Sequence, residues 1–280
     1  MFFSQFIPVS VPLPFDNTGA PYNLSAVVTN NTFDQSKYEQ YSPMFLPITY
    51  AVSYGGFFAI YPAAIVHTFL WYRHDITRQC RRSAKDETDI HSYLMSKYRE
   101  VPHWWFVLLG TCCVVLGAVA IEVCHTGLPI WAFVLSLVFS AVFILPFGLI
   151  QAITNQQLFL NVLSELIVGC ILPGRPVATM IFKTVAADST WQAISFSSDL
   201  KFGHYLKIPP RLMFTGQISA SIIAVISGII AQEWALDNIH DICSPDQSAR
   251  FTCPTLDLFN TSSILWGGIG PKRLFAAGGL

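Results

Sequence analysis

The sequence predicts an all-α integral membrane protein, a polytopic helical bundle with broken or re-entrant segments. Of its 280 residues, 52% are hydrophobic and 12% are charged, about half the charged fraction of an average soluble domain. Apolar stretches long enough to cross a bilayer recur along the chain. Proline, glycine and polar residues interrupt several of them, which predicts kinked or discontinuous spans.

The composition also excludes several classes of function. A net charge of −1 argues against a nucleic-acid partner. The chain has no glycine-rich phosphate loop, no zinc-type Cys/His spacing and no Gly-x-Ser-x-Gly motif. We therefore expect no metal site, no cofactor and no enzymatic activity, and the lipid bilayer is the first partner that the composition indicates.

The first 43 residues are more polar than the rest of the chain. Residues 1–43 are predicted to be an exterior segment, since Asn23 and Asn30 each begin a glycosylation sequon that fits an exterior or lumenal loop. Asn260 begins a third sequon. The apolar start of the chain lacks a basic region and contains several prolines, so it does not resemble a signal peptide.

Residues 44–280 are predicted to be a transmembrane domain. The predicted spans are about 44–72, 104–123, 128–151, 153–172, 177–198, 212–234 and 259–280. The loop 73–103 has a surplus of Lys and Arg over Asp and Glu, which is typical of the cytoplasmic side. The hairpin turn between the second and third spans is therefore expected outside.

If 153–172 crosses the membrane only once, the loops after it fall on the wrong sides of the membrane. A single crossing there would place Lys201 outside, and Cys243 and Cys253 inside. Basic loops favour the cytoplasm and disulfides persist in oxidising compartments. The stretch 152–200 is therefore expected to cross twice or to enter and return, with its break at Pro173–Pro176.

The span 153–172 carries the leading candidate for a proton site or for the site of a substrate amino group, Glu165. If one helix continued from Gln151, then Gln151, Asn155, Glu165 and Gly169 would share one face, with Gln156 close by. A carboxylate at membrane depth costs about 2.5 kcal/mol or more, so it normally faces a bundle interior or an aqueous cavity. The alternative is a structural hydrogen bond between packed helices.

Other ionisable residues in the spans are secondary candidates. Glu122 lies at the outer end of its span, and His67 lies near the end of the first. Lys183 and Asp188 fall in the limb 177–198, which is tolerable only if that limb is buried in protein or lines a cavity.

A basic hinge that contains Pro209 and Pro210 separates two apolar stretches. Both prolines lack an amide hydrogen, but proline is compatible with the first turn of a helix, so we expect a helix to begin directly after the hinge. A basic anchor at the membrane surface explains the hinge without any further role. The residues concerned are Lys207, Ile208, Pro209, Pro210 and Arg211.

This hinge, with Ser198–Tyr205 before it, resembles a hallmark of the oligopeptide transporter (OPT) family of fungi and plants. Further blocks resemble the family in the family's order, over the chain from about Asp16 to its end. They are Tyr41–Pro47, His91–Trp105, Ile150–Gln157, Ile171–Pro176 and Trp266–Arg273.

The resemblance implies proton-coupled import of tetrapeptides, pentapeptides or glutathione-like peptides, most simply across the plasma membrane. The loop with Cys243 and Cys253 resembles an exterior loop of the family, and a disulfide between them is predicted; two free thiols are the alternative. The sequence resembles the later half of family members, and their Asn-Pro-Gly motif is missing, so the chain is expected to be a fragment.

Two other classes of function are consistent with this scaffold. A metal-chelate carrier resembling the yellow-stripe branch would use the same fold, but the Lys207–Arg211 hinge favours the peptide branch. A non-transporting receptor or an intramembrane enzyme is the less favoured class. An enzyme would need a nucleophile and base or a metal cluster on facing helices, and no His has an Asp or Glu three or four residues away within a span.

Overall fold

The computed structural model describes residues 7–9, 11, 13–29, 32–83, 90–244, 247–251 and 253–275. Apart from one short 3-10 turn, Leu24–Ala26, and the two-residue antiparallel strands β1 (Val28–Thr29) and β2 (Thr32–Phe33), the elements in this part of the chain are helical. The helices are α1 Gln35–Tyr41, α2 Ile48–Ser83, α3 Ile90–Met95, α4 His103–Val123, α5 Ile130–Thr154, α6 Asn161–Ile171, α7 Pro176–Tyr205, α8 Pro210–Asn238, α9 Pro254–Ser262, a π-helix Ser263–Ile269 and α10 Pro271–Leu274.

The predicted all-α membrane fold is confirmed. Among the described residues, four helices are long and apolar enough to cross a membrane: Ile48–Arg78 within α2, and the whole of α4, α5 and α8, with mean hydropathy from 1.3 to 2.6. The first span was predicted to be kinked or discontinuous; it is not discontinuous, since α2 continues through Pro62 to Ser83. Membrane helices tolerate proline where neighbouring groups satisfy the freed carbonyl.

The chain divides into two compact units. The first unit comprises residues 1–73, 116–192 and 254–280, and the second comprises 74–115 and 193–253. Three of the four boundaries fall inside α2, α4 and α7, and the fourth falls directly before α9. The contacts that form the candidate sites each lie within one unit or the other.

The predicted span 153–172 is not one helix. Helix α5 ends at Thr154, Asn155 has a left-handed φ of 55°, and the chain becomes helical again only at Asn161. The single polar face predicted for Gln151, Asn155, Glu165 and Gly169 is therefore wrong. Asparagine tolerates this left-handed conformation at a helix end, and its amide bonds to the Gln151 carbonyl at 2.9 Å.

The unwound segment 155–160 and α6 together replace the single predicted span. The 11 residues of α6 cover about 16 Å of a hydrocarbon thickness of about 30 Å, so α6 alone is too short to cross it. Helix α7, with 30 residues, is long enough to return across it. Whether 152–200 crosses the membrane twice or enters and returns stays a prediction, and so does the side of the membrane on which each end lies.

The α6–α7 turn is held by backbone contacts within the first unit. Gly174 has φ of +81°, which favours glycine, and its amide donates to the Gly267 carbonyl at 2.8 Å. The Phe33 amide donates to the Gly174 carbonyl at 3.0 Å, and Arg175 donates to the Gly127 carbonyl at 3.1 Å. The turn thus lies at the same end of the unit as the α4–α5 turn and the β1–β2 hairpin.

Two glycines allow α6 and the π-helix to approach at backbone distance. A Cβ atom on Gly169 would lie 2.4 Å from the Trp266 carbonyl oxygen and 2.8 Å from Pro271 Cδ. A Cβ atom on Gly267 would lie 2.6 Å from Pro176 Cα. Gly169 of α6 therefore contacts Pro271, the first residue of α10, and Gly267 of the π-helix contacts Pro176, the first residue of α7.

The predicted exterior segment is folded onto the first unit. Tyr22 and Val27 are buried in one cluster with Trp266, and the Tyr22 hydroxyl donates to the Ser42 carbonyl at 2.8 Å. A hydrogen bond from the Thr18 hydroxyl, with others from backbone amides, lowers the pKa of the Asp16 carboxyl. The described part of this segment is therefore packed into the first unit and is not only a solvated loop.

The predicted glycosylation sites have different settings. Asn23 is exposed, and its side chain accepts hydrogen bonds from Ser25. Asn30 lies outside the described residues. Asn260 is half-buried within α9, and Ser262 of its sequon is buried, which disfavours glycan attachment there.

In the second unit, Cys243 and Cys253 form a disulfide with Cα atoms 4.9 Å apart, within the usual range for such bonds. It closes the loop that comes after α8.

Candidate functional site

The first unit contains a cavity of about 550 Å³, within the range of about 300–1,000 Å³ that is typical of small-molecule sites. Its wall is formed by α2, the start of α6, the middle of α7 and α9. The polar described residues that line it are Thr49, Tyr50, Ser53, Tyr54, Asn161, Lys183, Thr255 and Ser262.

A buried ion pair stands at this wall. Lys183 Nζ of α7 lies 2.6 Å from Glu165 Oε1 of α6, and the two side chains are 13% and 1% exposed. Glu165 Oε2 has no hydrogen-bond partner among the described residues. Because a buried carboxylate without a nearby cation is strongly unfavourable, Lys183 is what makes an ionised Glu165 tolerable here.

The Lys183 ammonium also contacts an aromatic ring. Its Nζ lies 5.4 Å from the ring centroid of Phe259 in α9, a distance typical of a cation–π interaction. Lys183 therefore lies between a carboxylate behind the wall and a ring that lines the cavity.

A group of hydroxyls covers the neighbouring part of the wall. Tyr54 and Ser262 are hydrogen-bonded at 2.8 Å, and Tyr50 lies 3.3 Å from the Tyr54 oxygen. Tyr50 and Tyr54 are four residues apart on α2, so they share a helix face. Such hydroxyls can donate to or accept from the amide groups of a peptide.

The unwound segment 155–160 places polar groups beside the start of α6. The Tyr61 hydroxyl donates to the Phe159 carbonyl, and thereby satisfies one backbone group that an unwound segment leaves free. Gln151 Oε1 and Gln157 Nε2 are buried with no hydrogen-bond partner among the described residues. Asn155 and Gln156 are exposed, and neither lines the cavity.

Glu122 lies in a different place. It is exposed and lines a smaller cavity of about 340 Å³ at the α4–α5 turn, together with His125 and Arg175. Asp188 is exposed on α7 and does not line the larger cavity. The structure thus brings Glu165, and neither of the other two acidic candidates, to the larger cavity.

In the second unit, the basic hinge binds the loop before α4. Lys207 lies two residues after the end of α7 and has a left-handed φ of 63°. Its ammonium group contacts His91 Nδ1 and donates to the His204 carbonyl at 3.3 Å. Arg211 Nε donates to the Glu100 carbonyl at 3.0 Å. Pro210 begins α8. The two basic segments that were predicted to face the cytoplasm therefore lie together.

We expect Lys207→Met to lower the free energy of unfolding by about 1 kcal/mol, because His91 and the His204 carbonyl lose a donor. The measurement is the thermal unfolding of the whole protein in detergent. Lys201→Met is the matched control, since Lys201 is exposed on the last turns of α7. Equal effects of the two substitutions would show that the Lys207 contacts do not stabilise the hinge.

Sequence reasoning considered Lys183 or Arg175 as a possible neighbour of Glu165 but did not choose between them or make either a site residue, and it missed the hydroxyl-bearing residues around Tyr54. A signal for the ion pair was present: Glu165 and Lys183 each lie nine residues from Gly174, on the two limbs of a predicted helical hairpin. Residues at equal distance from such a turn lie at the same level of antiparallel helices. No comparable signal linked α2 to Ser262, more than 200 residues later.

Comparison with known proteins agrees with the sequence blocks. A family model described as OPT oligopeptide transporter protein matches residues 2–280. The chain is 42% identical over 277 residues to sexual differentiation process protein isp4 of Schizosaccharomyces pombe, with 98% of the chain and 35% of the relative covered. It is 38% identical over 280 residues to glutathione transporter 1 of the same yeast, with 99% and 33% covered.

A third relative, oligopeptide transporter 1 of Saccharomyces cerevisiae, is 37% identical over 278 residues, with 99% of the chain and 34% of the relative covered. The chain thus spans about a third of the length of the curated relatives that it matches. No solved structure matches it.

Proposed function

Because this chain belongs to the OPT oligopeptide transporter family, we propose that it carries the substrate and proton site of a transporter that moves small peptides with protons across the plasma membrane. The substrates are tetrapeptides, pentapeptides or glutathione-like peptides. Two of the relatives are named as glutathione and oligopeptide transporters, which supports this substrate class.

One observation carries the proposal: the Glu165–Lys183 ion pair at the wall of a hydroxyl-lined cavity. Glu165 supplies a carboxylate that can gain and lose a proton, and the cavity supplies polar groups for a zwitterionic solute. The neighbouring unwound segment 155–160 supports the proposal, since secondary transporters commonly place their sites where membrane helices are broken.

The test is uptake of a labelled tetrapeptide by cells that express the whole protein, against cells that do not. With the medium about two pH units more acidic than the cytosol, one proton supplies about 2.7 kcal/mol, or about a 100-fold peptide gradient. We expect accumulation that a protonophore abolishes.

The same cells are given a labelled metal chelate in parallel. Uptake of the chelate and not of peptide would contradict the proposal in favour of the metal-chelate carrier. Peptide entry that is indifferent to both pH and protonophore would contradict proton coupling.

A further inference from the structure

The described residues of the cavity wall carry charge of one sign only, which is positive. Among the described residues that line it, Lys183 is the only charged one; the rest are apolar or carry hydroxyl or amide groups. Glu165 lies behind the wall with only 1% of its side chain exposed. A solute that enters the cavity therefore meets an ammonium group before it can meet a carboxylate.

We propose that Lys183 binds the C-terminal carboxylate of the peptide, and that the peptide displaces Glu165 from this ammonium group. The inference rests on the proposed function. It replaces the prediction that Glu165 itself receives the substrate's amino group, because that ammonium would have to pass Lys183 against its positive charge.

The exchange of partners couples binding of the substrate carboxylate by Lys183 to protonation of Glu165. When Lys183 turns to the substrate carboxylate, Glu165 is left buried with no cation, and an uncompensated buried carboxylate is unfavourable. Protonation by one proton from the aqueous side neutralises it. One O–H bond forms on Glu165 and no bond between heavy atoms changes; Lys183 keeps its three protons, and the added proton balances the negative charge of the substrate carboxylate.

No other described group is placed to compensate Glu165. The titratable groups that interact with it are Lys183 on α7 and the phenols of Tyr50, Tyr54 and Tyr61 on α2. These three hydroxyls already have partners: Tyr50 and Tyr54 contact each other, Tyr54 contacts Ser262, and Tyr61 donates to the Phe159 carbonyl. Asp188 interacts with Lys183 only from the exposed face of α7.

The test compares a labelled tetrapeptide that has a free C-terminal carboxylate with the same peptide as its C-terminal amide. Uptake and exchange are measured in cells that express the whole protein. We expect wild type to prefer the acid about tenfold or more, since the amide cannot pair with an ammonium group. Lys183→Gln should lose this preference, Lys183→Arg should keep part of it, and Lys201→Gln on the same helix should not alter it.

Removing Lys183 alone leaves Glu165 buried without a cation, and that variant can fail to fold. The double variant Glu165→Gln/Lys183→Gln removes both charges and should reach the membrane, exchange peptide and treat acid and amide alike. Glu165→Gln alone should retain the preference for the acid in exchange, because its Lys183 is free for the substrate.

The outcomes separate the two proposals. If wild type transports both forms equally, or the double variant still prefers the acid, Lys183 is not the carboxylate receptor and the transport function stands. If wild type takes up neither form above the level of cells without the protein, the proposed function fails and this inference fails with it.

Discussion

In cells that express the whole protein, Glu165→Gln is expected to abolish proton-driven accumulation of peptide while the protein still reaches the membrane. Glutamine keeps the shape and hydrogen-bonding capacity of the side chain, but it cannot exchange a proton near neutral pH. Lys183 lines the cavity and is 13% exposed, so solvent can reach the ammonium that the substitution leaves unpaired. With about two pH units across the membrane, the expected loss is up to about 100-fold in accumulation.

The measurement is uptake against external pH for wild type and variant, corrected for surface expression. Glu122→Gln is the matched control, because Glu122 is an exposed carboxylate beside a different cavity. An unchanged pH dependence in Glu165→Gln would make the ion pair a structural contact between α6 and α7. The coupling role would then pass to Glu122 or Asp188.

The second large effect is expected at Gly169, where alanine should sharply reduce the yield of folded protein. The new Cβ would lie 2.4 Å from the Trp266 carbonyl oxygen, a backbone atom that cannot move aside by a side-chain rotation. Overpacking of this kind typically costs about 1–3 kcal/mol, and it outweighs the gain of up to about 1 kcal/mol that alanine brings to a helix interior.

Gly110→Ala in α4 is the control, because none of the described residues lies within 4 Å of its Cβ position. The two substitutions are chemically identical and should have opposite signs: Gly110→Ala neutral or slightly stabilising, Gly169→Ala destabilising. Size-exclusion profiles and thermal unfolding of the whole protein in detergent measure both. Equal stability of the two variants would mean that α6 and the π-helix do not pack at backbone distance.

Local chemistry was enough to predict the class of fold and two of the places where a helix begins. Long apolar stretches can satisfy their backbone groups in lipid only as helices, so α4, α5 and α8 follow from composition and length. The helix starts at Pro176 and Pro210 follow from the fixed φ of proline and its missing amide hydrogen. The Cys243–Cys253 pair is likewise a local feature, since its two cysteines are only ten positions apart in the chain.

The course of the chain between Gln151 and Glu165 could not be predicted in this way. The residues 152–160 are apolar and polar in a mixture that a helix would accept, and periodicity cannot show that Asn155 adopts a left-handed conformation. Only the packing of the first unit, where the Tyr61 hydroxyl donates to the Phe159 carbonyl, decides that this segment is not helical. The predicted polar face therefore failed, whereas the role of Glu165, which pairs with Lys183 at the cavity wall, stays a prediction.

What the sequence by itself determined is a membrane-helical chain with a costly carboxylate, a costly lysine and a proline–glycine break between them. What only the tertiary structure decided is that Lys183 faces the cavity and Glu165 lies behind it, and that Tyr54 of α2 meets Ser262 of α9. The physical reason is that these contacts depend on how helices distant in the chain are rotated and packed, whereas propensity and periodicity act over only a few turns.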